Sequence, residues 1–158
     1  MDIEFKKEIF PKPSEQLIQE TEKYWRLKLP SSYYRFLMKY NGGIPAKQTF
    51  YYQNHGYCVV CFLCLLEDVE NDNNGCFDID VVLTQIEDRL TTTEEYRGYE
   101  LLPIAELFGC DYLCLDFREN PNEPCICIWK HDESGELDPV TFKVADSFDD
   151  FLAMLVQG

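Results

Sequence analysis

The chain has 158 residues, 46% of them hydrophobic and 15% aromatic, which is enough apolar material for the core of one ordinary domain. The formal net charge is −15 and is unevenly spread: residues 1–47 carry nine Lys and Arg against six Asp and Glu, whereas residues 48–158 carry five against 23. Such an acidic surface disfavours binding to nucleic acid or anionic lipid, since both require a positively charged partner.

Two helices are predicted in the N-terminal third. The first covers residues 14–26, starts at Ser14 as N-cap, and carries apolar side chains at helical spacing. The segment before it contains Pro11 and Pro13 and is expected to wrap the surface. Pro30 is expected in the first turn of the second helix, where its missing N–H costs nothing.

The second helix has one apolar face and ends at a backbone stop. Arg35 and Lys39 lie on the outer side, and Lys39 suits the negative end of the helix. Asn and Gly tolerate the left-handed backbone that ends a helix, and Pro45 prevents a restart. The apolar face consists of Leu29, Tyr33, Phe36, Leu37 and Tyr40, and the stop of Asn41, Gly42 and Gly43.

Strands and loops dominate the rest of the chain. Strands are predicted at TFYYQ, CDYLCLDF, CICIWKH and VTFKV, and at GYCVVCFLCLLED, which is apolar enough to be central in a sheet. The segment LLPIAELFG is short and mixed, and residues 91–100 are predicted as a loop. An inserted helix is predicted with Asp78 as its N-cap. Its apolar face holds Ile79, Val82, Ile86 and Leu90.

A last helix closes the chain. Ser147 is its predicted N-cap, and Asp150 completes a pattern like a capping box. The apolar side holds Phe148, Phe151, Leu152 and Leu155. We therefore predict an α+β fold of a single domain over residues 1–158. A mostly antiparallel sheet is expected to pack with the N-terminal helix pair, the inserted helix and the C-terminal helix.

Eight cysteines raise the question of a metal site. Cys58, Cys61 and Cys64 have the outline of an iron–sulfur motif, but their apolar spacers favour a strand. On a strand Cys58 and Cys64 face one side and Cys61 the other, so the three thiols cannot converge. Two further pairs share faces of apolar strands: Cys110 with Cys114, and Cys125 with Cys127. Buried thiols are favoured over a metal site.

The cysteines also bear on the cellular compartment. The first 16 residues lack a basic segment followed by an apolar run, so no secretory signal is expected. No stretch approaches the ~20 apolar residues that cross a membrane. Without a signal, the cysteines indicate reduced thiols and a cytoplasmic protein.

Other candidate sites are weak. The segment starting at Glu70 partly matches a calcium loop, but the essential twelfth-position Glu is Val81, so a plain acidic loop is favoured. The partly matching positions are Asp72, Asn74, Gly75 and Asp78. Neither His55 nor His131, the only histidines, has a motif partner. No cofactor and no catalytic residue is predicted.

One carboxylate pair is a candidate acid/base site. Asp111 and Asp116 are five residues apart on a predicted strand, which places them on opposite faces. General acid/base catalysis by both is therefore disfavoured, and the sequence offers no positive case for an enzyme.

Three blocks of the chain resemble the SUKH superfamily. The segment LKLPSSYYRFLMKYNGGIP is similar to the N-terminal signature of the family. The segment LLPIAELFGCDYLCLDF, with PCICIWKHD as the strand that follows, is similar to its middle block. The segment VADSFDDFLAML is similar to its closing helix. The blocks occur in the family order and span about residues 14–156. Cys110 departs from the pattern, which often has a small or acidic residue there. The family-like positions are Leu29, Pro30, Tyr33, Phe36, Leu37, Asn41, Gly42, Gly43, Pro103, Gly109, Asp116, Ser147, Phe148, Phe151 and Leu152.

The resemblance implies an α+β fold and a non-catalytic protein. Bacterial members are mostly immunity proteins that neutralise secreted polymorphic toxins, often nucleases, and the yeast namesake regulates cell-wall assembly. We therefore predict an immunity protein that binds a basic toxin domain and takes no small-molecule substrate. The alternatives are a regulatory module linked to the cell wall and, less favoured, a metal- or thiol-dependent enzyme.

The acidic part of the chain is the predicted partner-binding surface. No Lys or Arg occurs between Gln48 and Asp88. Such a field suits either a plain solvated surface or a docking face that steers a basic partner. The predicted contacts are Glu67, Asp68, Glu70 and Asp72, with Asp132, Glu133 and Glu136 as a second group.

Overall fold

The computed structural model describes residues 2–93 and 99–158, so part of the predicted loop at 91–100 lies outside the described residues. Within the described ranges, four helices pack with an eight-stranded antiparallel sheet, which confirms the predicted α+β fold. The strands are β1 (Phe5–Glu8), β2 (Gly43–Pro45), β3 (Thr49–Tyr52), β4 (His55–Phe62), β5 (Leu101–Leu107), β6 (Tyr112–Asp116), β7 (Cys125–Trp129) and β8 (Thr141–Ala145). The helices are α1 (Glu15–Trp25), α2 (Ser31–Tyr40), α3 (Ile79–Ile86) and α4 (Phe148–Met154).

The sheet runs in the order β1-β2-β4-β5-β6-β7-β8, and β3 pairs with β4 beside this path. The predicted central position of β4 is therefore confirmed. Cys61, Glu106, Tyr112 and Trp129 are register partners in a row across β4, β5, β6 and β7. Each step in that row is antiparallel, so β4 and β7 run in opposite directions.

Two predictions about strands were wrong. The N-terminal segment does not simply wrap the surface, because β1 pairs with β2 at the edge of the sheet. The segment that looked mixed is β5, which is almost fully buried and lies between β4 and β6. Pro103 is tolerated inside β5 because the register with β6 shifts between Pro103 and Ala105. An irregularity of this kind accommodates a residue that has no N–H to donate.

Aromatic rings join α2 and α4 to the sheet. The ring of Phe36 lies 5.0 Å from that of Phe62 and 5.0 Å from that of Phe148, measured between centroids. Tyr33 meets Phe148 edge-on at 5.1 Å. The predicted apolar faces of both helices are buried, which confirms them. Leu155 is buried too, but it follows the end of α4 in extended backbone.

Helix ends follow the predicted capping with one exception. Ser14 and Ser147 accept hydrogen bonds from the N–H groups of Leu17 and Asp150, at 3.0 and 3.1 Å. Pro30 was expected in the first turn of α2, but it is the N-cap residue itself. Its ψ of 147° is extended, and that backbone leads the chain into the helix without a side-chain cap.

The inserted helix α3 is anchored at its N-terminus. Asp78 Oδ1 accepts from the N–H groups of Asp80 and Val81 at 2.9 and 3.3 Å, which confirms the predicted N-cap. Its Oδ2 also accepts from the Leu66 N–H at 2.9 Å. Burial raises the pKa of Asp78, and these hydrogen bonds oppose that effect. Asp78 therefore joins the backbone at Leu66, where the acidic loop begins, to the N-terminus of α3.

The Asn-Gly-Gly stop requires glycine for space as well as for backbone freedom. Gly42 and Gly43 have φ angles of 157° and 137°. A Cβ on Gly42 would lie 2.6 Å from the Leu63 carbonyl oxygen, and one on Gly43 would overlap the Lys7 carbonyl oxygen. The end of α2 thus passes in close contact with two other backbone segments.

Asn41 does more than end the helix. Its side chain is fully buried and its φ is 64°. Nδ2 donates to the carbonyl oxygens of Pro11 and Leu65 at 2.8 and 3.0 Å, and Oδ1 accepts from the Leu65 N–H at 2.8 Å. One side chain therefore ties the end of α2 to the N-terminal segment and to the segment after β4.

The cysteine faces were predicted wrongly. Strand β4 ends at Phe62, and its register with β5 shifts between Val59 and Cys61. Cys64 therefore lies outside the strand, and it shares a small buried cluster with Cys61. Burial raises the pKa of the Cys61 thiol to about 12. The placement of Cys110 on a strand was also wrong: it is exposed, in a turn, with a φ of 72°.

The described part of the chain contains neither a metal-binding cluster nor a membrane-spanning helix. Across residues 2–93 and 99–158, no group of three or more His, Cys, Asp or Glu side chains is arranged to hold a metal ion. Over the same residues, no helix has the length and apolar character needed to cross a membrane.

Candidate partner-binding surface

The first acidic group lies in the loop after β4. Its members are Glu67, Asp68 and Glu70, which are exposed, and Asp72, which is half-buried. Asp68 accepts hydrogen bonds from the Asn71 side chain at 3.0 and 3.1 Å, and Asp72 accepts from the Asn74 N–H at 2.8 Å. Asp68 and Asp72 therefore shape the loop, while the carboxylates of Glu67 and Glu70 face solvent.

The second acidic group lies in the connection between β7 and β8. Asp132, Glu133 and Glu136 are all exposed. Beneath them, the Arg89 guanidinium donates to the carbonyl oxygens of His131 and Ser134, the latter at 2.9 Å. These bonds fix the backbone that carries the second acidic group.

An ion pair braces the start of the same connection. Asp111 Oδ2 lies 2.8 Å from Lys130 Nζ, and Asp111 Oδ1 accepts from the His131 N–H at 2.8 Å. The hydrogen bond that Lys130 donates to Asp111 raises the pKa of Lys130, so the lysine stays charged. Asp116 instead binds Arg118, with an Oδ1–Nε distance of 2.9 Å. The two aspartates thus belong to separate networks. The prediction that both lie on one strand was wrong, because β6 begins at Tyr112 and Asp111 precedes it.

The structure does not unite the two acidic groups in one loop cluster. The first group follows the C-terminal end of β4 and the second follows the C-terminal end of β7. These strands run in opposite directions with β5 and β6 between them, so the two groups leave the sheet at opposite ends. A single partner that touches both groups has to span that distance.

A cleft of about 520 Å³ opens beside the second acidic group. It lies between the β3–β4 hairpin, the turn after β5 and the start of the β7–β8 connection. Tyr51 and Phe108 line it and are 58% and 80% exposed. The ring of His55 lies 4.9 Å from that of Tyr57 in the same cleft. The cleft is thus rich in aromatic side chains and bordered by carboxylates.

These aromatic residues were not predicted as part of a binding surface. Tyr51 and Tyr57 sit in strands where alternate side chains are core, and periodicity does not tell an exposed ring from a buried one. Phe108 precedes Gly109 and Cys110, which have φ angles of 93° and 72°. In the sequence, Gly109 was the available signal, because glycine favours a tight turn, and such a turn leaves the preceding ring outside the core.

The sequence of this chain matches a known protein family. A family model named SUKH_6 and described as SMI1-KNR4 cell-wall matches residues 15–152. This chain belongs to the SUKH superfamily. The match runs from α1 into α4, and it confirms the resemblance of the three sequence blocks. No curated protein sequence matches this SUKH chain at a significant level. Membership suggests protein–protein interaction and is compatible with immunity and with a role related to cell-wall regulation.

The family-like positions of this SUKH protein build the fold. Phe36 and Phe148 are buried in the core, Asn41 ties three segments, and Ser147 caps α4. Gly109 forms the tight turn that ends beside the cleft. The acidic groups are not among these positions.

Proposed function

We propose that the protein is a non-catalytic immunity protein of the cytoplasm that binds a basic toxin domain, such as a nuclease, in a stoichiometric complex. The observation that carries this proposal is the charge distribution. Residues 48–158 hold 23 Asp and Glu against five Lys and Arg, and the predicted contact groups project from that part. Membership of the SUKH superfamily supports the same proposal.

The physical basis is competition with nucleic acid. A nuclease binds the phosphate backbone with a positively charged surface. Exposed carboxylates on loops occupy such a surface in place of phosphates, and they also accelerate the encounter through long-range attraction. No bond has to be made or broken, so inhibition lasts as long as the complex does.

The test uses the toxin domain that we expect to be encoded beside this gene, a basic C-terminal domain of a large secreted protein. Two triple variants each remove the exposed carboxylates of one acidic group: E67S/D68S/E70S and D132S/E133S/E136S. Asp72 is kept because it holds the Asn74 N–H. A matched control, E20S/E119S/E123S, removes three exposed carboxylates elsewhere.

Affinity is measured by calorimetry from low to high salt. Exposed charges contribute roughly 0.5 kcal/mol each, so a triple variant is expected to weaken binding about tenfold at low salt. The salt dependence of the dissociation constant should flatten as well. The control variant should bind like the parent protein. If both test variants kept the parent affinity at low salt, the acidic groups would not be the contact surface.

A second candidate function is a regulatory module linked to the cell wall, which the description of the matching family favours. Co-expression separates the two functions. An immunity protein should restore growth to cells that express the neighbouring toxin domain, whereas a cell-wall regulator should give no protection. A neighbouring gene without any toxin domain, together with altered wall composition on deletion, would favour the second function.

A further inference from the structure

We propose that the aromatic cleft beside the second acidic group is the docking centre for the partner and takes an arginine side chain from a basic protein segment. The biological setting of this inference rests on the proposed function. The chemistry of the cleft can be tested without any toxin, since it concerns the residues of the cleft alone.

Exposed aromatic rings are the first argument. Tyr51 and Phe108 present large apolar areas to solvent on a chain whose other rings mostly lie in the core. Rings of this kind, at the centre of a patch with a polar rim, are typical anchors of protein interfaces. Gly56 pairs with Tyr51 across the hairpin, and a Cβ there would lie 3.3 Å from the Tyr51 ring. The ring therefore lies across the glycine and keeps its other side open.

The charges of the cleft favour a cation as the occupant. Lys130 is neutralised by Asp111 at 2.8 Å, and its Nζ lies 5.7 Å from the centre of the Tyr57 ring. Asp132 also lines the cleft, and its side chain is 92% exposed. Asp132 Oδ1 lies 3.1 Å from His131 Nδ1. The cleft thus has an open carboxylate beside exposed rings.

Among cations, arginine fits this combination best. Its planar guanidinium stacks on an aromatic face and can bind a carboxylate through two parallel hydrogen bonds at the same time. A lysine ammonium has no flat face to stack. A phosphate-bearing ligand would meet the acidic rim, and a wholly apolar segment would cover the exposed Asp132 carboxylate without offering it a hydrogen-bond donor.

The cleft also has the size and support of a binding site. Its volume of about 520 Å³ lies within the roughly 300–1,000 Å³ usual for ligand sites. Asp111 joins Lys130 and the His131 N–H, so the wall that carries Asp132 is held by hydrogen bonds. The opposite wall is the paired hairpin of β3 and β4.

The probe is a capped Gly-Arg-Gly peptide, titrated into the isotopically labelled full chain and followed by amide NMR shifts. We expect saturable shifts confined to residues 51–58, 108–111 and 130–132, with weaker binding of the lysine peptide. The citrulline peptide, which has nearly the same shape and no charge, should cause none. Phe108→Ser and Tyr51→Ser should each weaken arginine binding about threefold, the size of one exposed cation–π contact.

A matched control tests whether any exposed ring has this effect. Phe10 is 60% exposed and follows the edge strand near the other end of β4, so Phe10→Ser should leave the titration unchanged. Thermal melting of each variant confirms that the fold is kept. Equal shifts with citrulline, shifts confined to residues 67–72, or preference for an apolar peptide would each overturn the proposal.

The outcomes distinguish this inference from the proposed function. If the toxin domain binds and Phe108→Ser and Tyr51→Ser leave its affinity unchanged, the docking centre is wrong and immunity stands. If the arginine peptide binds as expected but the toxin domain does not, the cleft stands as a cation site and the immunity function is wrong.

Discussion

Replacing Asn41 should destabilise the protein far more than an ordinary helix-end substitution. Its buried side chain makes three hydrogen bonds, to Pro11 and Leu65. At about 1 kcal/mol for each bond, Asn41→Gly should cost about 3 kcal/mol, because glycine keeps the positive φ and loses the side chain. Asn41→Ala should cost about 1 kcal/mol more, since alanine disfavours a φ of 64°.

Urea unfolding followed by circular dichroism measures these costs. With a slope near 2 kcal/mol/M, a loss of 3 kcal/mol moves the midpoint down by about 1.5 M. The control is Asn73→Gly, which changes an exposed Asn in a turn and should shift the midpoint little. An Asn41→Gly midpoint close to that of the parent protein would show that the three hydrogen bonds add little. Equal losses of stability for the Gly and Ala variants would show that the positive φ of residue 41 does not disfavour alanine.

Two further predictions concern a buried hydroxyl and a half-buried carboxyl group. The Tyr33 hydroxyl is buried and lacks a hydrogen-bond partner among the described residues, so Tyr33→Phe should raise the free energy of unfolding by about 1 kcal/mol; a loss of stability would indicate a hidden partner. Burial raises the pKa of Glu106, so the folded chain binds its proton more tightly than the unfolded chain, and this group lowers stability as the pH rises above 4.5. Thermal melts should therefore show Glu106→Gln gaining stability over the parent between pH 4 and pH 7. If the difference in stability between variant and parent did not change with pH, the raised pKa of Glu106 would not be its cause.

Much of the fold follows from local patterns in the sequence. The N-caps, the apolar helix faces and the alternating strands were predicted because each depends on residues within a few positions of one another. Strand β5 was missed because Pro103 interrupts its pattern, and a register shift with β6 that no local signal shows makes room for it. Strands β1 and β2 are short, and their pairing joins segments more than 30 residues apart.

The site was less predictable. The acidic loops were visible as charge, but whether they share one face depends on strand directions that only the sheet order supplies. Asn41 was interpreted as a helix stop alone, because its partners Pro11 and Leu65 lie far away in the sequence. The Cys61 and Cys64 thiols came together because β4 ends earlier than its apolar run suggests. Each miss involves contacts that are distant along the chain.

The Arg89 contacts have a consequence for the thermodynamics of association. Because Arg89 already binds the His131 and Ser134 carbonyl oxygens, the backbone under Asp132 and Glu133 is ordered before any partner arrives. Ordering a free loop loses conformational entropy worth about 1 kcal/mol or more for each residue. This loop has already lost that entropy during folding, so it loses little more on binding. The unfavourable entropy of complex formation then falls mainly on the partner. A partner with a rigid basic surface should therefore bind this face more tightly than a flexible basic peptide of equal charge.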